Sequence, residues 1–219
     1  DYVITDINYD SGRCEIQTPE GVFDFKLLGN NVTDLYNEIA AVALLSELGV
    51  DISKTKESFE KLKVTESRFN SIKVGEKEIV MNLAKGQNPI ACSRVCDFIR
   101  HETGNKTVLM MFDDIYDAKD SSENMAWIYD IDFEFLNDES VKQIVIAGVR
   151  HQDYHLRLLL AGIPEEKITC CEKESDISKY VDTDQSEKFY LIYDLFLFDQ
   201  AKQTSAELKE RLEKGGKEA

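Results

Sequence analysis

The groups best suited to chemistry crowd one stretch, Phe112-Asp113-Asp114-Ile115-Tyr116-Asp117-Ala118-Lys119-Asp120-Ser121-Ser122-Glu123-Asn124. A carboxylate held at the end of a strand can orient a histidine, bind Mg2+ or accept a proton. An acidic chain also carries acidic loops that do none of these, and spacing alone leaves both readings open. Directly downstream, Trp127, Tyr129 and Phe133 alternate as on one face of a strand, which suits either a contact surface or core packing. His151 and His155 stand at i, i+4, the spacing of two metal ligands on a helix, but no third ligand is near, so they read as solvent-exposed histidines. Arg150 and Arg157 could hold an anion; in so acidic a chain, pairing with carboxylates is the preferred reading. Cys92 and Cys96, also at i, i+4, are read as two small apolar side chains on a buried helix face rather than metal ligands. Neither a CxxC pair nor a GxxxxGK[ST] phosphate loop occurs in the 219 residues.

These groups need elements to hold them. Residues 2–9, 13–18 and 22–28 alternate in polarity around turns at Asp10-Ser11-Gly12 and Pro19-Glu20-Gly21, which predicts a small antiparallel meander. A helix over 35–48 follows, closed by Gly49. Its apolar residues run almost all the way round, so burial on more than one side is expected. A second helix over 53–62 places Phe59 and Leu62 on one face. The polar run Lys63-Val64-Thr65-Glu66-Ser67 marks the expected boundary between domains 1–64 and 65–219. Beyond it, apolar runs at 78–83, 106–112, 143–147, 167–170 and 188–193 alternate with helical patterns at 88–101, 152–161, 175–180 and 201–214. That alternation predicts an α/β fold, a Rossmann-like, mostly parallel sheet flanked by helices. Ligands of such sheets collect at the carboxyl ends of the strands, where the acidic stretch after Phe112 lies.

Composition narrows the partners. A formal charge of −16 repels phosphate backbones, so nucleic acid is not expected. The apolar content of 42% supports a packed core rather than disorder. No apolar run is long enough for a transmembrane segment and no export leader is present, so the cytoplasm is the expected compartment. The chain begins at Asp1 without a methionine, and further protein is expected before it. Five cysteines, an odd number with Cys170 and Cys171 adjacent, fit reduced thiols.

Several stretches resemble the Mur ligase superfamily, and within it the MurT-like ligase subunits of lipid II isoglutaminyl synthase. Leu35-Tyr36-Asn37-Glu38-Ile39-Ala40-Ala41 and Glu47-Leu48-Gly49 are similar to the closing helix of the Mur central domain. Ser67-Arg68-Phe69 resembles the step that opens the C-terminal domain, and Leu83-Ala84-Lys85 with Asn88-Pro89 resembles the Leu-Ala-Lys-Asn-Pro motif. Most specific is Trp127-Ile128-Tyr129-Asp130-Ile131-Asp132-Phe133-Glu134, nearly the MurT signature. The resemblance implies residues 1–64 as the end of a central ATPase domain and 65–219 as a complete C-terminal domain, with the P-loop and a zinc ribbon lying before Asp1. It also implies a reaction: with ATP and Mg2+ in the full-length protein, the ligase subunit activates the D-glutamate α-carboxyl of lipid II, and a GatD-like glutamine amidotransferase partner supplies ammonia. No cofactor is expected on this piece alone, which should not turn over.

The same resemblance assigns residues. Asp120, in Asp117-Ala118-Lys119-Asp120, corresponds to the aspartate that completes the partner's Cys-His pair. Asn37, Arg68 and Asp34 fall on the nucleotide side, Asp34 standing where the family has asparagine. Lys85, Asn88, Trp127 and Tyr129 are candidates for substrate or partner contact, with a loop-shaping role open for Lys85 and Asn88. The chain departs from the family by Gly86-Gln87 within the Lys-Asn-Pro motif and by the insertion Ser121 to Asn124. A divergent, non-catalytic binding or assembly module is the alternative reading.

Overall fold

In the computed structural model the described residues are 1–8, 11–29, 32–62, 69–84, 87–112 and 126–215. The chain divides into two compact units, Asp1–Thr65 and Glu66–Ala219.

The first unit opens with strands β1 (Val3–Asn8), β2 (Arg13–Thr18) and β3 (Gly21–Lys26), an antiparallel sheet in the order β1-β2-β3. Helices α1 (Val32–Glu47) and α2 (Ile52–Lys61) follow. Asp51 caps α2 by accepting the N–H groups of Ser53 and Lys54 at 2.8 and 3.3 Å, donors that the first helical turn leaves without an internal partner. Cys14, Ile16, Phe25, Leu35, Val42, Ile52 and Phe59 form the core, with the Phe25 and Phe59 rings edge to face at 5.5 Å.

Two expectations for this unit fail. Helix α1 is not buried on more than one side of its own unit: Leu35, Glu38 and Val42 make a single buried stripe, while Tyr36, Leu44 and Leu48 are 71%, 61% and 71% exposed. A three-stranded sheet and one short helix offer enough surface to cover one stripe of a 3.6-residue spiral. Leu62 is also exposed rather than sharing the buried face of Phe59, because the chain turns extended at that residue.

The second unit is a six-stranded sheet in the order β4-β5-β9-β6-β7-β8. Its strands are β4 (Phe69–Val74), β5 (Lys77–Leu83), β6 (Lys106–Met111), β7 (Val141–Ala147), β8 (Ile168–Cys171) and β9 (Lys188–Tyr193). All neighbours pair in parallel except β4 with β5. The helices are α3 (Pro89–His101), α4 (His151–Leu160) and α5 (Phe198–Gly215). One face carries Val80, Val108, Met110, Ile144, Ile146 and Tyr190 against Cys92, Cys96 and Ile99 of α3 and Leu158 of α4. The other carries Ile79, Met81, Leu109, Val145, Phe189 and Leu191 against Ala201, Leu208 and Leu212 of α5. Strands covered on both faces are continuously apolar, and β6 is buried along its whole length. Alternation along β8 sends Cys170 to the first face and Cys171 to the second.

Strand β4 has no counterpart among the runs expected from the sequence, because its Asn70, Ser71 and Lys73 interrupt the apolar pattern. It exists because Val74 pairs with Lys77 across the two residues Gly75-Glu76, and Gly75 at φ +61° opens the reversal. Replacing Gly75 with alanine is expected to cost about 1 kcal/mol, since a Cβ is strained at positive φ. Urea unfolding should show a lower midpoint at an unchanged slope.

Candidate functional site

Strands β5, β9, β6, β7 and β8 point the same way, so the segments after Leu83, Tyr193, Met111, Ala147 and Cys171 leave from one end of the sheet. Strand β5 continues into α3 and reaches β6 by passing β9, so β9 sits at the switch in strand order. Such a switch is where open α/β sheets form their ligand crevice.

At this end Asn88 accepts the Ala91 N–H at 3.0 Å and Pro89 stands in the first helical turn, which makes Asn88 the cap of α3. The following turn brings Cys92 and Cys96 to the sheet, each 1% exposed. Burial pushes the Cys92 thiol up to about 12 and that of Cys96 well above its ordinary value, so neither is prepared to ligate a metal. Asp194, 4% exposed beyond the end of β9, accepts the Phe196 N–H at 3.0 Å. Its backbone N–H extends the ladder to the Met111 carbonyl at 2.9 Å. The sequence gives no periodic signal for Asp194; only its place after a strand and before Leu195-Phe196-Leu197 hints at a capping carboxylate.

The aromatic stretch after the acidic segment is not strand-like. Ala126–Asp130 and Phe133–Leu136 are 3-10 helices. With three residues per turn, Trp127, Tyr129 and Phe133 cannot share a face. Trp127 is half-buried, edge-on to Phe112 at 6.3 Å and to Tyr154 at 6.2 Å. Phe133 is fully buried, whereas Tyr129 is 47% exposed. The packing reading therefore holds for Trp127 and Phe133, and Tyr129 alone of the three faces outward.

Two helices clamp the backbone of this stretch. Arg157 of α4, 6% exposed, donates to the Ile131 carbonyl at 2.6 Å and to Glu134 at 2.8 and 3.0 Å, with its guanidinium 5.6 Å from the Phe133 ring centre. Ser93 of α3 accepts the Asp132 N–H at 2.9 Å. Carboxylate pairing for Arg157 is as expected from the charge balance; the Ser93 contact was not legible, since a lone serine in an apolar helix face gives no signal. Hydrogen bonding to Arg157 holds the Glu134 carboxyl below its usual range. His155 is half-buried rather than exposed, its Nε2 3.1 Å from Glu165, because α4 packs beside the turn at Glu165. His151 is likewise half-buried, its Nδ1 2.8 Å from the Gly148 carbonyl.

Of the remaining candidates, Arg68, Lys85 and Asp120 lie outside the described residues. In the first unit Asn37 is exposed on α1 and Asp34 is half-buried one turn earlier. The Asp34 side chain presses on Gly29 so closely that a Cβ there would lie 2.0 Å from its Oδ2. Among the described residues no group of three or more His, Cys, Asp or Glu side chains could hold a metal ion. A GxxxxGK[ST] loop for a triphosphate is likewise not found in these residues.

Comparison with known proteins gives the family. A sequence model of the family described as MurT ligase C-terminal matches residues 85–195. The chain belongs to the MurT ligase C-terminal family. It is 29% identical over 160 residues to the lipid II isoglutaminyl synthase (glutamine-hydrolyzing) subunit MurT of Streptococcus pneumoniae, covering 73% of this chain and 34% of that protein. The subunit of the same name from Staphylococcus aureus is 33% identical over 142 residues, covering 64% and 31%. The chain thus spans about a third of the length of these curated relatives. Among solved structures, MurF from Acinetobacter baumannii matches at a TM-score of 0.63 and 20% identity, over 90% of this chain and 42% of that one. MurC from Thermotoga maritima matches at 0.61 and 14%, over 93% and 44%. At these identities the likeness is one of fold: the MurT C-terminal match and the mostly parallel sheet flanked by helices are those of Mur ligases. No helix among the described residues is long and apolar enough to cross a membrane.

Two outcomes follow. Asn88→Ala should lower stability by about 1 kcal/mol through loss of the cap, whereas Asn88→Asp should be near neutral; thermal unfolding of both variants checks this. The depressed carboxyl of Glu134 contributes stability that is fully present above the ordinary glutamate value, about 4.3, and is lost as pH falls through its folded value. The difference in urea midpoint between wild type and Glu134→Gln should therefore be constant from pH 5 to 7 and shrink below about pH 4.

Proposed function

We propose that this chain is the rear part of a MurT-type ligase subunit that acts in the cytoplasm with a GatD-type glutamine amidotransferase to amidate the D-glutamate α-carboxyl of lipid II. The observation that carries the reading is the stretch Trp127–Glu134, matched within the MurT ligase C-terminal family, with Trp127 against Phe112 just after β6 and the backbone clamped by Arg157 and Ser93. A carboxylate is a poor electrophile, and ATP with Mg2+ in the full-length subunit would supply the phosphoryl group that turns it into an acyl phosphate. Ammonia released from glutamine then forms the C–N bond as phosphate leaves and a proton passes to solvent. Asp120 is proposed to reach the partner's histidine and hold its imidazole in the productive orientation. Asn37, Asp34 and Arg68 are proposed for the nucleotide side, and Lys85 and Tyr129 for contact with substrate or partner. The capping bond of Asn88 and the ring packing of Trp127 favour structural roles for those two.

A second reading, a binding module that docks the partner without turnover, is favoured by Asp34 in place of asparagine and by the insertion at Ser121 to Asn124. One reconstitution separates the two. The complete ligase subunit and a GatD-type amidotransferase are mixed with lipid II, glutamine, ATP and Mg2+, and the product is read by mass spectrometry. An amidated stem peptide and a loss of glutaminase activity on the order of 10³-fold or more in Asp120→Asn support the ligase. Complex formation without amidation selects the binding module, and unchanged glutaminase activity in Asp120→Asn removes the triad role.

A further inference from the structure

The core of the first unit holds a carboxylate among its apolar side chains. Glu38 is 2% exposed and lies on the buried stripe of α1 between Leu35 and Val42. Its Oε2 accepts the Leu28 N–H at 3.2 Å, and the Cys14 thiol lies 3.8 Å from Oε1. Among the described residues no cation faces it; the neighbouring charge on its own helix is Asp34, one turn back, and Arg13 and Asp24 act on the Cys14 thiol rather than on the carboxyl itself. Burial accordingly pushes the Glu38 carboxyl above the ordinary glutamate range, while the Leu28 N–H pulls the other way. An apolar side chain of similar size would fill this place without that cost. What only an acceptor can do is take the Cys14 thiol and, across the entry to α1, the Leu28 N–H.

That bond joins residues ten apart and closes the span through which the chain leaves β3 and enters α1. Gly29, Asp34 and Asn37 all lie within it. The second tie in the same span is the approach of Asp34 to Gly29, where an added Cβ would also lie 2.7 Å from the Asp34 Cβ. Neither tie reaches Asn37, which stays exposed one residue before Glu38.

We propose that Glu38 is a positioning residue: by holding the Leu28 N–H from inside the unit it fixes the first turns of α1, and so sets where Asp34 and Asn37 stand toward an adenine nucleotide. This deepens the nucleotide-side reading given above and rests on it. Glu38 itself does not touch the nucleotide. Its effect is carried by the backbone it tethers.

The test uses the complete ligase subunit with its amidotransferase and compares Glu38→Gln, which keeps a carbonyl acceptor, with Glu38→Met, which fills the space without one. Amide hydrogen exchange at Leu28 should be near wild type in Glu38→Gln and faster by about tenfold or more in Glu38→Met, the effect of losing a hydrogen bond to a charged group. The KM for ATP should rise severalfold in Glu38→Met with kcat within about twofold, and return toward wild type in Glu38→Gln. Equal Leu28 exchange in Glu38→Met and wild type overturns the tether. Faster exchange with an unmoved KM overturns the link to the nucleotide. Should wild type not bind ATP at all, the nucleotide-side reading falls, and with it the link, while the exchange result still decides the tether. If neither variant folds, Leu28 in the wild type must rank among the protected amides of its unit, and exchange there at the free-peptide rate overturns the proposal.

Discussion

Strand β9 is the constraint on which the second unit depends. Strands β5 and β6 are joined through α3 yet do not touch; β9 hydrogen-bonds to both, along its whole length on each side. The sheet is therefore two pieces until residues near the end of the chain thread between them. Pairings of this kind join residues about a hundred positions apart, and their entropic cost precedes their reward. The carboxyl ends of β5, β6 and β9 share the same dependence: Leu83 and Met111 come to lie on either side of Tyr193 only when the middle strand is seated.

The stretch Trp127–Glu134 shows how one run of residues can be divided between fold and surface. Ile128, Ile131 and Phe133 enter the core, with Trp127 packed at its margin. Tyr129, Asp130 and Asp132 are left outside. Arg157 and Ser93 hold the backbone between these two sets from opposite helices. A buried guanidinium paired with a half-exposed carboxylate adds little net stability, because desolvation offsets much of the attraction. Its geometric effect is larger: one guanidinium nitrogen, Nη2, takes the Ile131 carbonyl and the Glu134 carboxylate together and so ties the backbone of the stretch to α4.

Much of the fold was legible because burial writes itself into period. The meander alternates in twos, α3 carries a capping asparagine and proline, and β6 and β9 carry unbroken apolar runs at 108–111 and 189–193, as strands covered on both sides do. The elements that were missed or misread have a common cause in being short. Strand β4 is half polar, and the 3-10 turns mimic strand alternation over too few residues for a period of three to be distinguished from one of two. For the site, the sequence named residues by type and resemblance but not by contact. Asn88 and Trp127 turned out to have capping and packing to do, while Glu38, one of three acids on α1, gave no pattern that marked it as the buried one.

The adjacent cysteines at the end of β8 behave as strangers. Because a strand turns successive side chains to opposite faces, Cys170 and Cys171 look into different cores with the sheet between them. Neighbouring thiols in a loop can close on each other when an oxidant arrives, but here that ring would require the edge strand to peel away first. Burial further keeps both thiols protonated, against the anionic form that oxidants attack. The doublet is thus insulated from redox chemistry by the pleat itself, and reports on it only where the edge has already come loose.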